Sequence, residues 1–162
     1  MNDTQDARLH QDDDGIWTGQ LPGDLRLVMH RLARKELTCY IVGPAVRDAL
    51  VHGVMERVSR IDLMVVAKDL REVEDCLEGA SASNLFISGP ERLRRGALFT
   101  IQGATDGETI RRLMVNNLSD PSELRERLAQ REVTVNALAM SAEGEIIDPF
   151  NGARDLQRPR IR

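Results

Sequence analysis

Aromatic residues are scarce in this sequence, at 3% of 162 residues. An exposed aromatic platform, on which nucleic-acid bases could stack, is therefore not expected. An excess of basic residues is also missing, since the formal net charge is -4, and this argues against a strongly basic nucleic-acid binder. The acidity is local, because residues 1–24 contain six Asp and one Arg. The rest of the chain is close to neutral.

Cysteines are also few, and long apolar runs are missing. The two cysteines, Cys39 and Cys76, are too few for a disulfide framework or a zinc ligand set, and we expect two reduced, buried thiols. No apolar run approaches the ~18 residues that span a membrane. The polar, acidic N-terminus lacks the apolar stretch of a signal or transit peptide. These absences predict a cytoplasmic globular domain without membrane association.

The composition divides the chain into two parts. Residues 1–22 are predicted to form an acidic flexible tail, and residues 23–162 a single domain. The run Asp12-Asp13-Asp14-Gly15 lacks the alternate ligands and the distant Glu of an EF-hand loop, so a solvated charge run is favoured there.

Hydrophobic periodicity predicts alternating helices and strands from Asp24 onward, with Asp24 near the first helix N-cap and Ser122 as a candidate cap. Helices are expected over 24–36, 45–52, 68–78 and 122–130, and strands over 37–42, 60–66, 84–88, 97–102, 108–115 and 146–147. The strand 60–66 is continuously apolar, as central strands are, and a hairpin is expected between 97–102 and 108–115. The run 134–140 is ambiguous between helix and strand. The pattern indicates an α/β (α+β) domain with a mixed β-sheet flanked by helices.

Three segments carry chemistry-bearing residues in a particular order. In the first, a strand runs into Gly43-Pro44 and a helix that contains Arg47 and Asp48, and a helix N-terminus attracts phosphate. In the second, Asp62 follows Arg60 by two residues on a strand, so both side chains share one face. The third segment contains Arg131 and Asn136, followed by Asp148-Pro149-Phe150 and Gly152. Asp148, Phe150 and Gly152 are interpreted as structural: a turn, an aromatic plug and a glycine required by its backbone.

Together these segments resemble the head domain of tRNA nucleotidyltransferases (CCA-adding enzymes) and bacterial poly(A) polymerases over about residues 25–162. In that family, strand-Gly-Gly-x-x-Arg-Asp is followed by Asp-x-Asp on the next strand. Arg-Arg-Asp-Phe-Thr-x-Asn-Ala and Asp-Pro-Phe-x-Gly-x-x-Asp-Leu come later. The resemblance implies a nucleotidyltransferase-like mixed sheet, ATP or CTP as the bound nucleotide, and Mg²⁺ as the cofactor of an active enzyme.

The resemblance also implies roles for individual residues. It assigns nucleotide binding to Gly43, Arg47, Asp48, Arg131 and Asn136, and both metal binding and catalysis to Asp62. Asp62 would hold a metal ion that stabilises the attacking hydroxyl and the leaving pyrophosphate.

Four positions depart from the family pattern: Pro44, Arg60, Gln130 and Glu132. Arg60 replaces the first metal-binding Asp, where a guanidinium repels Mg²⁺ and can capture Asp62 as a bidentate partner. At ~4 Å and an effective dielectric constant of ~20, each such charge interaction is about 4 kcal/mol, so ordinary metal affinity is expected to be lost. Pro44 has no N–H and removes one phosphate donor.

Glu108 is the candidate for a further acid on a later strand, and Arg111 and Arg112 follow it. An exposed strand residue without a catalytic role is the competing interpretation of Glu108.

Two functional hypotheses follow. The first is a head domain that serves RNA 3′-end processing by transferring a nucleotidyl group from a nucleoside triphosphate to an RNA 3′-hydroxyl. The alternative is a catalytically inactive descendant that acts as a nucleotide- or partner-binding module. Family enzymes continue into helical neck and body domains, which we expect to be absent from residues 23–162, so RNA or tRNA contacts are expected through parts outside this chain. Arg60 is the residue that separates the two hypotheses.

Overall fold

The helices and strands follow closely the apolar periodicity of the sequence. The computed structural model describes residues 8–55, 58–82, 84–103 and 107–158. A short 3₁₀ turn spans Thr134–Asn136, the segment whose type the sequence left open, and a strand follows it. In chain order the other elements are α1 (Gly23–Arg34), β1 (Cys39–Val42), α2 (Pro44–His52), β2 (Arg60–Val66), α3 (Leu70–Leu77), β3 (Ser81–Ala82), β4 (Leu85–Arg92), β5 (Ala97–Gly103), β6 (Thr109–Leu118), α4 (Glu123–Ala129), β7 (Ala139–Ser141), β8 (Ile146–Ile147) and α5 (Gly152–Gln157).

Within the described residues, eight strands form one mixed sheet in the order β3-β4-β5-β6-β2-β1-β7-β8. The continuously apolar strand β2 is central, as predicted: it pairs antiparallel with β1 and parallel with β6. Strands β5 and β6 form the predicted antiparallel hairpin. The expected mixed sheet flanked by helices is confirmed.

Alternate residues of the strands point to two covered faces of the sheet. One face packs beneath α1, α2 and α3, and its buried strand residues include Ile41, Leu63 and Leu113. The second face is covered in part by α4, whose Leu124 and Leu128 lie four residues apart and pack on Val42, Met64 and Leu118. In β2, the residues Arg60, Asp62 and Met64 alternate with the first-face residues and therefore belong to this second face.

Residues 8–22 pack against the domain, although their composition suggested a loose arm. Trp17 is 5% exposed, and its indole Nε1 donates a hydrogen bond to the carbonyl oxygen of Ala49 at 3.1 Å. The Trp17 N–H donates to the carbonyl oxygen of Gly144 at 2.8 Å. One buried indole and these bonds hold a polar segment in place. The rest of the predicted tail, residues 1–7, lies outside the described residues, and the domain start at residue 23 stays a prediction.

Both residues that were predicted at helix N-termini lie there, but their side chains have other roles. Asp24 is near the N-cap of α1, as predicted, with Pro22 as the N-cap residue; its carboxylate is buried and pairs with Arg111 on β6, with 2.6 Å between Arg111 Nε and Asp24 Oδ2. Ser122 is the N-cap residue of α4, as predicted, but its side chain makes no capping hydrogen bond; the Asp120 carboxylate accepts from the Ser122 N–H at 2.8 Å in this turn. In each case a stronger electrostatic partner determines the geometry.

The two cysteines are free and buried, as predicted. Burial raises the pKa of the Cys39 thiol to about 12, so Cys39 is a protonated core residue at neutral pH. Across the described parts of the chain, every helix is too short or too polar to cross a membrane.

Candidate functional site

The turn between β1 and α2 begins the site. Gly43 has φ +79° and ψ -140°, a conformation that glycine adopts readily and other residues do not. The Gly43 N–H donates to the carbonyl oxygen of Leu138 at 2.9 Å, and Pro44, the first residue of α2, has no N–H. These two residues therefore give no free backbone donor to a ligand, so charged side chains must provide most of the attraction for an anion.

Arg47 is held in a fixed orientation by two neighbours. Its Nε donates to Asp48 Oδ1 and its Nη1 donates to Asn136 Oδ1, both at 2.9 Å. The Arg47 side chain is 32% exposed, so its guanidinium remains accessible. Three residues to which the family resemblance assigned nucleotide binding therefore form one hydrogen-bonded cluster.

The position of Asn136 depends on α5. Thr134 Oγ1 donates to Asp155 Oδ2 at 2.6 Å, and a Cβ on Gly152 would lie 2.2 Å from the carbonyl oxygen of Thr134, so only glycine allows this approach. The two carboxylate oxygens of Asp148 accept from the N–H groups of Gly152 and Ala153 at 2.7 and 2.9 Å. Asp148 thus caps α5, which supports the 3₁₀ turn that carries Asn136.

Asp62 lies between two arginines on the second face of the sheet. Arg60 Nε is 3.3 Å from Asp62 Oδ1, and Arg131 Nη1 is 3.5 Å from Asp62 Oδ2. The Asp62 side chain is 19% exposed, so these pairs are only partly screened by water. The prediction that Arg60 captures Asp62 is confirmed, although through one bond and not a bidentate pair.

These residues do not fit a divalent metal ion of the kind that the resemblance implies. The cross-strand partners of Asp62 are Val42 and Met114, and neither is an acid. Glu108 precedes β6 and is six residues before Met114, roughly 20 Å along an extended strand. The described residues contain no cluster of three or more His, Cys, Asp or Glu side chains that could hold a metal. A single carboxylate that pairs with two guanidinium groups is a poor ligand for Mg²⁺.

A cleft of about 300 Å³ opens at Asp62 and is lined by Val42, Pro44, Ala45, Arg60, Asp62 and Arg131. We call it the Asp62 cleft. The Arg47 cluster adjoins it at Gly43, because a Cβ on Gly43 would lie 3.2 Å from Arg131 Nη1 and 3.8 Å from the Asn136 carbonyl oxygen. The structure therefore brings the predicted site residues together at one end of α2. Guanidinium groups beside a helix N-terminus are suited to binding a phosphorylated ligand.

Sequence reasoning missed Arg112 as a member of this surface. It is the register partner of Arg60 on the neighbouring parallel strand β6 and is exposed on the same face. The signal was present in the Arg111-Arg112 pair, because strand alternation places one of these residues on each face. Arg111 is the buried partner of Asp24, which leaves Arg112 beside Arg60.

Comparison with known proteins identifies relatives of the chain. The family model described as "Poly A polymerase head domain" matches residues 39–162. The chain is 35% identical over 127 residues to the Multifunctional CCA protein of Xanthomonas euvesicatoria pv. vesicatoria, a match that covers 76% of the chain and 29% of that relative. The chain thus spans about a third of the length of its curated relatives.

Solved structures match the same region. A CCA-adding enzyme in complex with CTP superposes with a TM-score of 0.58 at 22% identity, over 85% of the chain and 33% of that structure. The Thermotoga maritima CCA-adding enzyme in complex with a tRNA gives a TM-score of 0.59 at 22% identity, over 86% of the chain and 32% of that structure. At this level of identity, the two matches establish a common fold.

Proposed function

Because the chain belongs to the poly(A) polymerase head-domain family, we propose that it binds nucleoside triphosphates at the Asp62 cleft and serves nucleotide addition to an RNA 3′ end. The observation that carries this proposal is the cluster at the N-terminal end of α2: Arg131 and Asn136 lie beside Gly43, and Asn136 accepts a hydrogen bond from Arg47. The relatives solved with CTP and with tRNA support ATP or CTP and RNA as the ligand classes.

The proposed roles follow from the contacts. Arg47 and Arg131 bind phosphate oxygens, since both guanidinium groups are partly exposed, at 32% and 28%. Asp48 and Asn136 are positioning residues that orient Arg47. Gly43 leaves the space in which Arg131 lies over the turn. The N-terminal end of α2 adds roughly half a positive charge.

Nucleotide transfer joins the α-phosphorus of the triphosphate to the RNA 3′-hydroxyl oxygen and releases pyrophosphate. The family implies Mg²⁺ for this step, but the residues at Asp62 do not provide its ligand set. The ion pairs of Asp62 with Arg60 and Arg131 favour a second candidate function, nucleotide binding without transfer. We also propose that RNA is contacted through parts outside this chain. The proposed location of the protein is the cytoplasm.

Binding is tested by calorimetric titration of ATP and CTP into the 162-residue chain and its variants. We expect Arg47→Gln and Arg131→Gln each to weaken binding about tenfold or more, because a hydrogen bond to a charged group contributes about 1.5–3 kcal/mol. Arg71→Gln is the matched control, since Arg71 is exposed on α3, a helix that packs on the opposite face of the sheet. Equal affinities in all four proteins would contradict the proposed site.

Transfer is tested separately with labelled CTP, Mg²⁺ and a tRNA that lacks its terminal CCA. If the second candidate is correct, the native chain incorporates no label at nucleotide concentrations that saturate binding. Incorporation by the native chain would exclude binding without transfer as its function, and the binding proposal would stand. Arg47→Gln serves as the control for incorporation at a different site.

A further inference from the structure

Arg60 and Arg112 form a pair of like charges that the proposed function leaves unexplained. They are direct register partners on the parallel strands β2 and β6, whose backbones lie about 4.8 Å apart. Both side chains are exposed on the second face of the sheet. Like charges directly opposite each other destabilise a sheet, and an anion bound between them would remove that repulsion.

The single negative charge of Asp62 is too small to neutralise the positive charges of this surface. The two carboxylate oxygens of Asp62 face Arg60 and Arg131, and the next side chain of β6 on the same face, Met114, is uncharged. Two guanidinium groups pair with this one carboxylate, and Arg112 lies opposite Arg60 on β6, so the surface keeps an excess of positive charge. A divalent cation would add to that excess, whereas a chain of phosphates would offset it.

We propose that this site, provided that it is the nucleotide site inferred above, binds polyphosphate in its metal-free form through Arg60, Arg112 and Arg131, and that Mg²⁺ antagonises binding. The fork of donors on each guanidinium matches the oxygens of a phosphate. Mg²⁺ that coordinates a triphosphate removes two of its negative charges and occupies oxygens that the arginines would otherwise bind. The protein offers no carboxylate ligand to the bound Mg²⁺ in exchange, because both oxygens of Asp62 already pair with arginines.

The cleft dimensions agree with this ligand. A volume of about 300 Å³ lies at the lower end of the range for ligand pockets, ~300–1,000 Å³. The described lining residues contain no aromatic side chain on which a base could stack. The triphosphate, which nucleotides and inorganic triphosphate share, is therefore the chemistry recognised.

The test is calorimetric titration of ATP and of inorganic triphosphate into the full chain, each with EDTA and with excess Mg²⁺ at matched ionic strength. We expect binding to be at least tenfold tighter in EDTA for both ligands. Similar affinities for the two ligands would place recognition in the phosphates, and a large preference for ATP would overturn the phosphate-only assignment. Ionic strength is matched because screening alone weakens such binding.

Variants separate this inference from the proposed function. Arg60→Gln and Arg112→Gln should each weaken binding in EDTA about tenfold, and Arg71→Gln should leave it unchanged. Arg60→Asp should reverse the sign of the Mg²⁺ effect, because it places two carboxylates on one face of β2. Circular dichroism checks that each variant is folded.

The effects of Mg²⁺ and of Arg112→Gln decide whether the polyphosphate site exists as proposed. Binding that Mg²⁺ strengthens in the native chain, or that Arg112→Gln leaves intact, would overturn the inference while the proposed nucleotide site survives. Absence of binding under both conditions would overturn the inference and the proposed function together.

Discussion

At the scale of single residues, Arg60 changes what Asp62 can do. On a strand, residues two apart share a face, so a carboxylate at position 60 would join Asp62 in a metal site. With Arg60 there, Asp62 holds two guanidinium groups in place. This pairing could be predicted from the Arg60-Ile61-Asp62 sequence alone. The pairing of Asp62 with Arg131 could be recognised only from the three-dimensional structure, because Arg131 is 69 positions further along the chain.

Gly43→Ala should damage both stability and binding. We expect a loss of about 1–3 kcal/mol in the free energy of unfolding, the range for a residue held in such a sparsely populated conformation. The new Cβ would lie 3.2 Å from Arg131 Nη1 and displace that side chain. Denaturant titration and ATP calorimetry measure the two effects.

Gly79→Ala is the control for this variant. Gly79 also has a positive φ, +65°, but a Cβ there would meet nothing within 4 Å. It should lose stability and keep its affinity for ATP. An equal loss of affinity in both variants would indicate that Gly43 acts through stability alone.

At the scale of elements, the motif around Asp148 supports the site from a distance. The sequence correctly indicated a structural turn there, and Phe150, which is partly buried, packs against the apolar cluster of the second face. The same ring lies 5.3 Å from the Arg125 guanidinium of α4, within cation–π range. The 3₁₀ turn before it was harder to predict, because its small residues, Thr134 and Asn136, suit several conformations.

Asp148→Ala should weaken nucleotide binding without touching the ligand. Loss of this cap should cost about 0.5–2 kcal/mol of stability and loosen the turn that carries Asn136. We expect affinity for ATP to fall a few-fold as Arg47 loses its fixed orientation. Calorimetry on the folded variant measures this change.

Asp69→Ala is a matched control for a cap. Asp69 accepts from the Glu72 N–H at 3.0 Å at the N-terminus of α3, which packs on the opposite face of the sheet. It should lose a similar amount of stability and retain full affinity. If Asp69→Ala weakened binding as much as Asp148→Ala does, the link through α5 would be wrong.

At the scale of the whole molecule, the sheet separates two basic surfaces. The Asp62 cleft is on the second face. A larger groove of about 610 Å³ lies between α1 and α3 on the first, and its lining includes His30, Arg34 and Lys35. Volume and positive charge alone would favour that groove as an anion site. The Asp62 cleft is preferred because Arg131 in the cleft and Arg47 beside it are oriented by neighbouring side chains and lie at a helix N-terminus.

Long-range pairs account for what the sequence did not predict about the whole fold. Asp24 and Arg111 are buried partners 87 residues apart, and local periodicity carries no information about such a pair. Trp17 was missed as an anchor because most of the residues around it, such as Asp12 to Asp14, are polar, although the chain's single Trp in such a segment was itself a signal. The strands and helices were predictable because their apolar residues repeat at short spacing.

The most direct measurement is hydrogen exchange of the native chain with and without ATP, read by mass spectrometry. If ATP binds at the Asp62 cleft, exchange slows with ATP in residues 42–48, 60–62 and 131–136, which meet there. Residues 27–35 and 75–82, which border the groove between α1 and α3, should be unaffected. Protection confined to that groove would contradict binding at the Asp62 cleft, because the nucleotide would then bind on the opposite face of the sheet.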